Sequence, residues 1–160
     1  MANVVKLGRT NQEYIPRIVD LIRQEIPKLL AHYNSEKIGA FLGVLTEDYF
    51  RAIVESGGRQ IFPILECSSG SALYAALSET DSVEGFLLST SYRKGRLKVT
   101  EILVILAAEK SRGTGTTLIR RFFDDVYDSE DPPDAIYLTV SRTNIRAIRF
   151  YERLGFRSAG

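Results

Sequence analysis

Along residues 11–30, NQEYIPRIVDLIRQEIPKLL, apolar side chains recur at steps of three and four: Ile15, Ile18, Val19, Ile22, Ile26, Leu29 and Leu30. That spacing predicts an amphipathic helix. Pro16 falls near its start, where a missing N–H is harmless, and Pro27 is expected to kink or end it. Residues 46–58, TEDYFRAIVESGG, predict a second helix, with Thr46 as N-cap, acids in the first turn and Gly57-Gly58 as the stop. The period then shortens. SALYAAL, VEGFLLSTSY and LKVTEILVIL read as three strands, and SETDS and RKGR between them read as hairpin turns, so an antiparallel meander is expected. The third strand is apolar on both faces in its second half, which predicts an interior place in the sheet.

Helical spacing returns after residues 110–117, KSRGTGTT. In LIRRFFDDVY, Leu118, Ile119, Phe122, Phe123 and Val126 share a face. DSEDPPDA is an acidic connection, IYLTV a further strand, and IRAIRFYERLGF a last helix. On that helix Ile145, Ile148, Tyr151 and Leu154 are expected on one face, with Gly155 as C-cap. The second half of the chain is therefore strand–loop–helix–strand–loop–helix, a mixed α/β arrangement.

Composition narrows the classes. The chain has 160 residues, 44% hydrophobic and 26% charged, which fits one soluble domain over 1–160. A net charge of +1 supplies no global pull toward nucleic acid or a membrane surface. No apolar run reaches the length of a membrane span, and the N-terminal MANVVKLGRTNQ lacks a signal-peptide core. A single cysteine, Cys67, excludes an internal disulfide, and a cytoplasmic protein is expected. No spacing of metal ligands occurs. His32 reads as a surface residue, and Cys67 has no patterned base to make it a nucleophile.

The candidate chemistry begins at KSRGTGTT. It follows a strand and opens a helix, whose free N–H groups and dipole form an anion site. Glycines let the backbone approach a ligand, and Lys110 and Arg112 add charge. The alternative is a tight turn that needs glycine for its dihedrals and binds nothing. A P-loop requires Gly-Lys-Ser/Thr, which is absent. A dinucleotide fingerprint requires a third glycine where Leu118 stands, and Arg142 near the end of the next strand suits at best a 2′-phosphate.

Together, VTEILVILAAEKSRGTGTTLI and IYLTVSRTNIRAIRFYERLGF resemble the GNAT family of N-acetyltransferases. The loop Lys110-Ser111-Arg112-Gly113-Thr114-Gly115 is similar to the family's Q/R-x-x-G-x-G/A, with Lys110 as a departure that keeps the charge. Leu138, Val140, Asn144, Ala147, Tyr151 and Gly155-Phe156 match its second signature. The resemblance covers about residues 70–157. It implies a mostly antiparallel central sheet flanked by helices (an α/β, or α+β, fold), with a V-shaped splay between parallel strands 97–106 and 136–140.

The resemblance also implies acetyl-CoA as co-substrate. Residues 110–115 would hold the pyrophosphate, and Leu103, Val104 and Ile105 would offer backbone groups to the pantetheine arm and thioester. Asn144 would position that arm, or serve as the N-cap of the last helix. Tyr151 would protonate the leaving thiolate, or be a packing residue on its apolar face. Glu101 lies by alternation with Leu97, Val99, Leu103 and Ile105. It is either a general base in a cleft or a solvated edge residue.

Arg120, Arg121, Arg146 and Arg149 are expected opposite the apolar stripes. The acidic run 124–134 is expected to be solvated, with an alternative role as a rim attracting a cationic amine. Residues 30–60 and the strand turns are expected to set acceptor specificity. Two departures from the family stand out. Only four residues follow Phe156, where the family continues into further strand, so the last strand is expected to be missing or the sheet edge completed by a second chain, as in a homodimer. Thr139 stands where enzymes acting on ribosomal-protein N-termini carry Glu, which disfavours that acceptor. The expected activity is acetylation of a small amine or a protein lysine. The alternatives are a non-catalytic acyl-CoA-binding domain and an NADPH-type module built on Arg142.

Overall fold

Six consecutive buried residues, Gly85–Thr90, mark the strand around which the fold is built. The computed structural model describes residues 3–30, 43–56, 68–108 and 113–159. Its strands are β1 (Asn3–Lys6), β2 (Ser68–Leu77), β3 (Val83–Lys94), β4 (Leu97–Ala107) and β5 (Ala135–Leu138). They form one sheet in the order β1-β2-β3-β4-β5. Each of the first four runs antiparallel to its neighbour, and β5 lies parallel to β4. The meander and the α/β class read from the sequence are present. Strand β1 is an addition, because NVVK is too short to give a period of its own.

The sheet is covered on both faces. Helices α1 (Ile15–Leu30) and α2 (Glu47–Glu55) lie over one face. Their residues Ile15, Ile18, Ile22, Phe50 and Ile53 share a buried cluster with Leu73, Phe86, Leu88 and Leu106. Helices α3 (Thr114–Tyr127) and α4 (Ile145–Arg153) cover the other. There Leu118, Ile119 and Phe122 join Tyr74, Leu87 and Ile102, with Phe150, Tyr151 and Phe156 packed against them. Each large buried aliphatic removes about 1.5–3 kcal/mol worth of apolar surface from water, so these two clusters are what hold the layers together.

Local signals place the helices. Thr46 caps α2 through its hydroxyl, which accepts from the Tyr49 N–H at 3.2 Å. The helix ends at Glu55 with Ser56 as C-cap, ahead of Gly57-Gly58, which lie outside the described residues. Pro27 does not end α1. The helix continues to Leu30 with Pro27 on its exposed side, so the missing N–H falls where water can serve the freed carbonyl.

Gly85 fixes the α3 layer. A Cβ there would stand 2.7 Å from the Leu106 carbonyl oxygen and 2.9 Å from Thr114 Cγ2, so only glycine lets the start of α3 approach β3 this closely. Arg121, expected on an outer face, instead reaches back from α3 to β1. Its Nη1 donates to the Val4 carbonyl at 2.7 Å while Nε bonds Asp125. The acidic connection is only partly solvated. Asp134 accepts from the Lys98 N–H at 2.8 Å, and Asp131 pairs with Lys98, pinning the loop to the start of β4.

Candidate functional site

The parallel pair β4–β5 runs only from Val99↔Ala135 to Ile102↔Leu138. β5 ends there, two residues short of the strand expected from IYLTV, and Thr139 and Val140 leave the sheet. β4 continues to Ala107, paired with β3 on its other side through Leu88↔Val104 and Leu87↔Ile105. Beyond Ile102 the two parallel strands thus part, and β4 presents a backbone edge that β5 does not cover.

A register shift falls at the same place. Leu88 pairs with Val104 and Ser89 with Ile102, which leaves Leu103 as the extra residue of a β-bulge. The bulge breaks the expected alternation. Leu103 packs toward the α1–α2 cluster and Ile105 toward the α3–α4 cluster, rather than sharing a face. Single-sequence periodicity could not show this, because both side chains are aliphatic.

At the far end of β4 stands the N-terminus of α3. Gly113 is its N-cap, at φ +74°, with no side chain to cap the helix, and the first intrahelical bond runs from the Thr117 N–H to the Gly113 carbonyl at 3.0 Å. The N–H groups of Thr114, Gly115 and Thr116 precede that bond and concentrate the positive end of the helix dipole. The two glycines have different reasons to be there. Gly113 requires its left-handed φ, and a Cβ on it would meet open space. A Cβ on Gly115 would come within 3.1 Å of the Phe150 ring, so this glycine also seats α4 against α3. Thr114 is buried, with its methyl against Gly85, so what it can offer a ligand is its backbone. Lys110, Ser111 and Arg112 lie outside the described residues, as do His32 and Cys67.

Helix α4 opens with Asn144, whose Oδ1 accepts from the Ala147 N–H at 3.3 Å, so the N-cap role is realised. It closes in a Schellman arrangement. Gly155, at φ +96°, donates to the Glu152 carbonyl, and the Phe156 N–H donates to that of Tyr151 at 3.1 Å. Tyr151 and Phe156 then meet edge to face at 5.8 Å, with Phe150 at 5.3 Å on the other side of Tyr151. The Tyr-x-x-x-Gly-Phe spacing is therefore a helix-stop device as well as a candidate catalytic signature. Tyr151 is half-buried in this cluster. Ile145, expected on the same face, is instead 52% exposed.

Glu101 sits opposite Thr90 on β3 and Tyr137 on β5, and Ser71 on β2 continues the same row. Since directly paired residues share a face, this polar row crosses the α1–α2 side of the sheet, from buried Thr90 to exposed Tyr137. Burial pushes the Glu101 carboxyl up from its ordinary value, and the Tyr92 hydroxyl acts against that rise. Tyr92 in turn is pushed upward, by burial first and then by its interactions with Tyr137 and Glu101. Glu101 is thus a partly buried carboxylate on a strand paired on both sides. Tyr92 and Tyr137 escaped the sequence reading, because nothing in a period-2 pattern tells which strands become neighbours.

A cavity of about 280 Å³ opens on this same face between β1–β2 and α2, with Lys6, Arg9, Ile53 and Ser71 among its lining. Among the described residues no three His, Cys, Asp or Glu side chains gather to hold a metal, and no helix is long and apolar enough to cross a membrane.

The profile of the Acetyltransferase (GNAT) family matches residues 34–156. No curated protein matches the chain. Among solved structures, a tetramutant of a Bacillus halodurans protein superposes with a TM-score of 0.71 at 18% identity, covering 99% of this chain and 95% of that one. A Pyrococcus furiosus protein described as an acetyl transferase gives 0.66 at 20% identity, over 100% and 95%. An aminoglycoside acetyltransferase from an uncultured soil metagenomic sample, solved with sisomicin, gives 0.68 at 11% identity, over 99% and 90%. At these identities the structural likeness carries the fold, and the family rests on the profile.

Proposed function

The chain belongs to the Acetyltransferase (GNAT) family, and from that premise we propose that it transfers the acetyl group of acetyl-CoA to a primary amine by direct attack in a ternary complex. One observation carries the reading. The β4 edge freed from β5 beyond Ile102 leads toward the N-terminus of α3, whose N-cap, Gly113, has no side chain. An extended thioester arm fits along the first, and a diphosphate fits the second.

In this reading the backbone of Leu103, Val104 and Ile105 meets the pantetheine arm, and its donors stabilise the oxygen on which charge builds as the amine attacks. Gly113, Thr114 and Gly115 supply N–H groups to the pyrophosphate, joined by Lys110, Ser111 and Arg112. Asn144 fixes the start of α4 and so the loop beside the arm. Binding both reactants in line gives much of the advantage by proximity. Glu101 takes the proton of the incoming ammonium, directly or through water, and burial, which raises its carboxyl, makes it a stronger base than a free carboxylate. Tyr151 returns a proton to the departing thiolate. The acceptor is a small amine or a protein lysine, and its specificity belongs to the face bearing Glu101. The aminoglycoside acetyltransferase among the structural neighbours is consistent with an amine acceptor.

The pH profile of Glu101→Gln tests the base. A base matters most where the amine is protonated, so kcat/KM should fall by about 10²-fold at low pH and recover as pH rises toward the amine's own pKa. An unchanged profile removes Glu101 from the mechanism.

A further inference from the structure

The cavity between β1–β2 and α2 has apolar walls and one cationic side chain at its rim. Leu7, Ile53, Val54 and Leu73 form the walls, all of them buried members of the α1–α2 cluster. Two basic residues line it, Lys6 and Arg9. Lys6 pairs with Tyr74, which belongs to the α3–α4 cluster, so alternation sends the lysine side chain to the other side of the sheet. Arg9 reaches from the end of β1 to α2, where its Nε donates to the Glu55 carbonyl at 3.1 Å. A guanidinium carries five N–H donors, and among the described residues nothing takes up the two Nη groups of Arg9. The loop behind Arg9 is braced. Asn11 Oδ1 accepts from the Gly8 N–H at 2.6 Å, and Arg51 of α2 donates to Gln12 Oε1 at 3.1 Å. Ser71 leads out of the cavity toward Glu101. Its hydroxyl donates to that of Thr90 at 3.4 Å, and Thr90 pairs directly with Glu101. Cavity and carboxylate therefore share one face, two strand spacings or about 10 Å apart.

We propose that this cavity is a second subsite for the acceptor, and that the acceptor is an ω-amino carboxylate whose acid end is received by Arg9. The inference rests on the reading of the Glu101 face as the acceptor's side. The open Nη edge of a guanidinium matches the two oxygens of a carboxylate, and the braced loop holds that fork in place before the ligand arrives. One guanidinium balances one negative charge, so a carboxylate is matched where a doubly charged phosphate would stay half neutralised. The apolar walls suit a methylene chain between the two ends. The span from Glu101 to the cavity selects an extended chain over an α-amino acid, whose amine and carboxylate share one carbon. Arg9 is on this account a specificity residue, and the acetyl transfer at the amine is the one already described.

The test offers the full chain acetyl-CoA with straight-chain ω-amino carboxylates of increasing length, each beside the ω-amino alcohol of the same length. The carboxylates should be preferred by about 10-fold or more in kcat/KM, most clearly in the longer chains. Arg9→Gln should raise KM for the carboxylates until they fall level with the alcohols, and Arg9→Lys, which keeps the charge and loses the fork, should recover part of the preference. Equal use of carboxylate and alcohol by the native chain overturns the proposal, as does a preference that survives in Arg9→Gln. Binding is read apart from turnover by the Arg9 Nε–H signal in ¹⁵N NMR with coenzyme A present, assigned by its loss in Arg9→Gln. That signal should shift with the carboxylate and not with the alcohol. If it shifts while no amine is acetylated, the subsite stands and the transferase reading fails. If it stays still for every carboxylate, the subsite fails.

Discussion

Tyr151 packs α4 and, in the proposed mechanism, also protonates the thiolate; the two roles separate by measurement. Its ring lies between Phe150 and Phe156, so the aromatic body is needed for α4 to pack. Its hydroxyl is what a leaving thiolate needs. Tyr151→Phe keeps the first and removes the second. It should lower kcat by about 10²-fold with melting temperature and acetyl-CoA affinity nearly unchanged; a variant that keeps its kcat would leave Tyr151 as packing only. Gly85 is the opposite case, a residue with no chemistry and a strict steric demand. Gly85→Ala drives a Cβ into the Leu106 carbonyl and Thr114, and should destabilise by about 1–3 kcal/mol in denaturant melts. The sequence made Tyr151, Glu101 and the loop glycines legible because their residue types and spacing carry chemistry. Gly85, Tyr92 and Tyr137 were not legible, since what matters about each is a neighbour on another strand.

The elements show where periodicity succeeds and where it fails. α2 and α3 follow their hydrophobic patterns closely, because each buries one clear face, whereas α4 forms where expected but leaves Ile145 of its apolar stripe exposed. β1 was missed for shortness, β5 ends two residues early, and α1 passes through Pro27 because that residue faces solvent. The bulge at Leu103 is the most consequential miss. It changes which cluster the side chains of β4 face at the very point where β4 and β5 part. The end of α4 is the most local of these devices. Gly155 holds φ +96° so that the Phe156 N–H can reach the Tyr151 carbonyl. Gly155→Ala should cost about 1–2 kcal/mol from the left-handed backbone, read as a lower denaturation midpoint. An unchanged midpoint would mean that the Schellman closure contributes nothing to seating α4.

At the scale of the molecule, the two buried clusters divide the labour suggested for the site. The α3–α4 side carries the helix N-terminus, Asn144 and Tyr151. The α1–α2 side carries the row Ser71, Thr90, Glu101 and Tyr137. A thioester lying in the opening between β4 and β5 would meet the helix-dipole layer on one side of the sheet and the carboxylate layer on the other. The expectation that residues 30–60 and the strand turns set acceptor choice falls partly outside the described residues, at 31–42 and 57–60. In the proposed reading the acceptor lies on the Glu101 face. Nor do the described residues 156–159 join any strand, so β5 is the last strand at that edge of the described sheet. The account turns most directly on thiol release from acetyl-CoA, followed with and without a pool of primary amines. It predicts amine-dependent release by the native chain that falls sharply in Glu101→Gln near pH 6–7. Acetyl-CoA binding with no amine-dependent release across the pool would contradict it, and would make this a domain that holds the thioester without spending it.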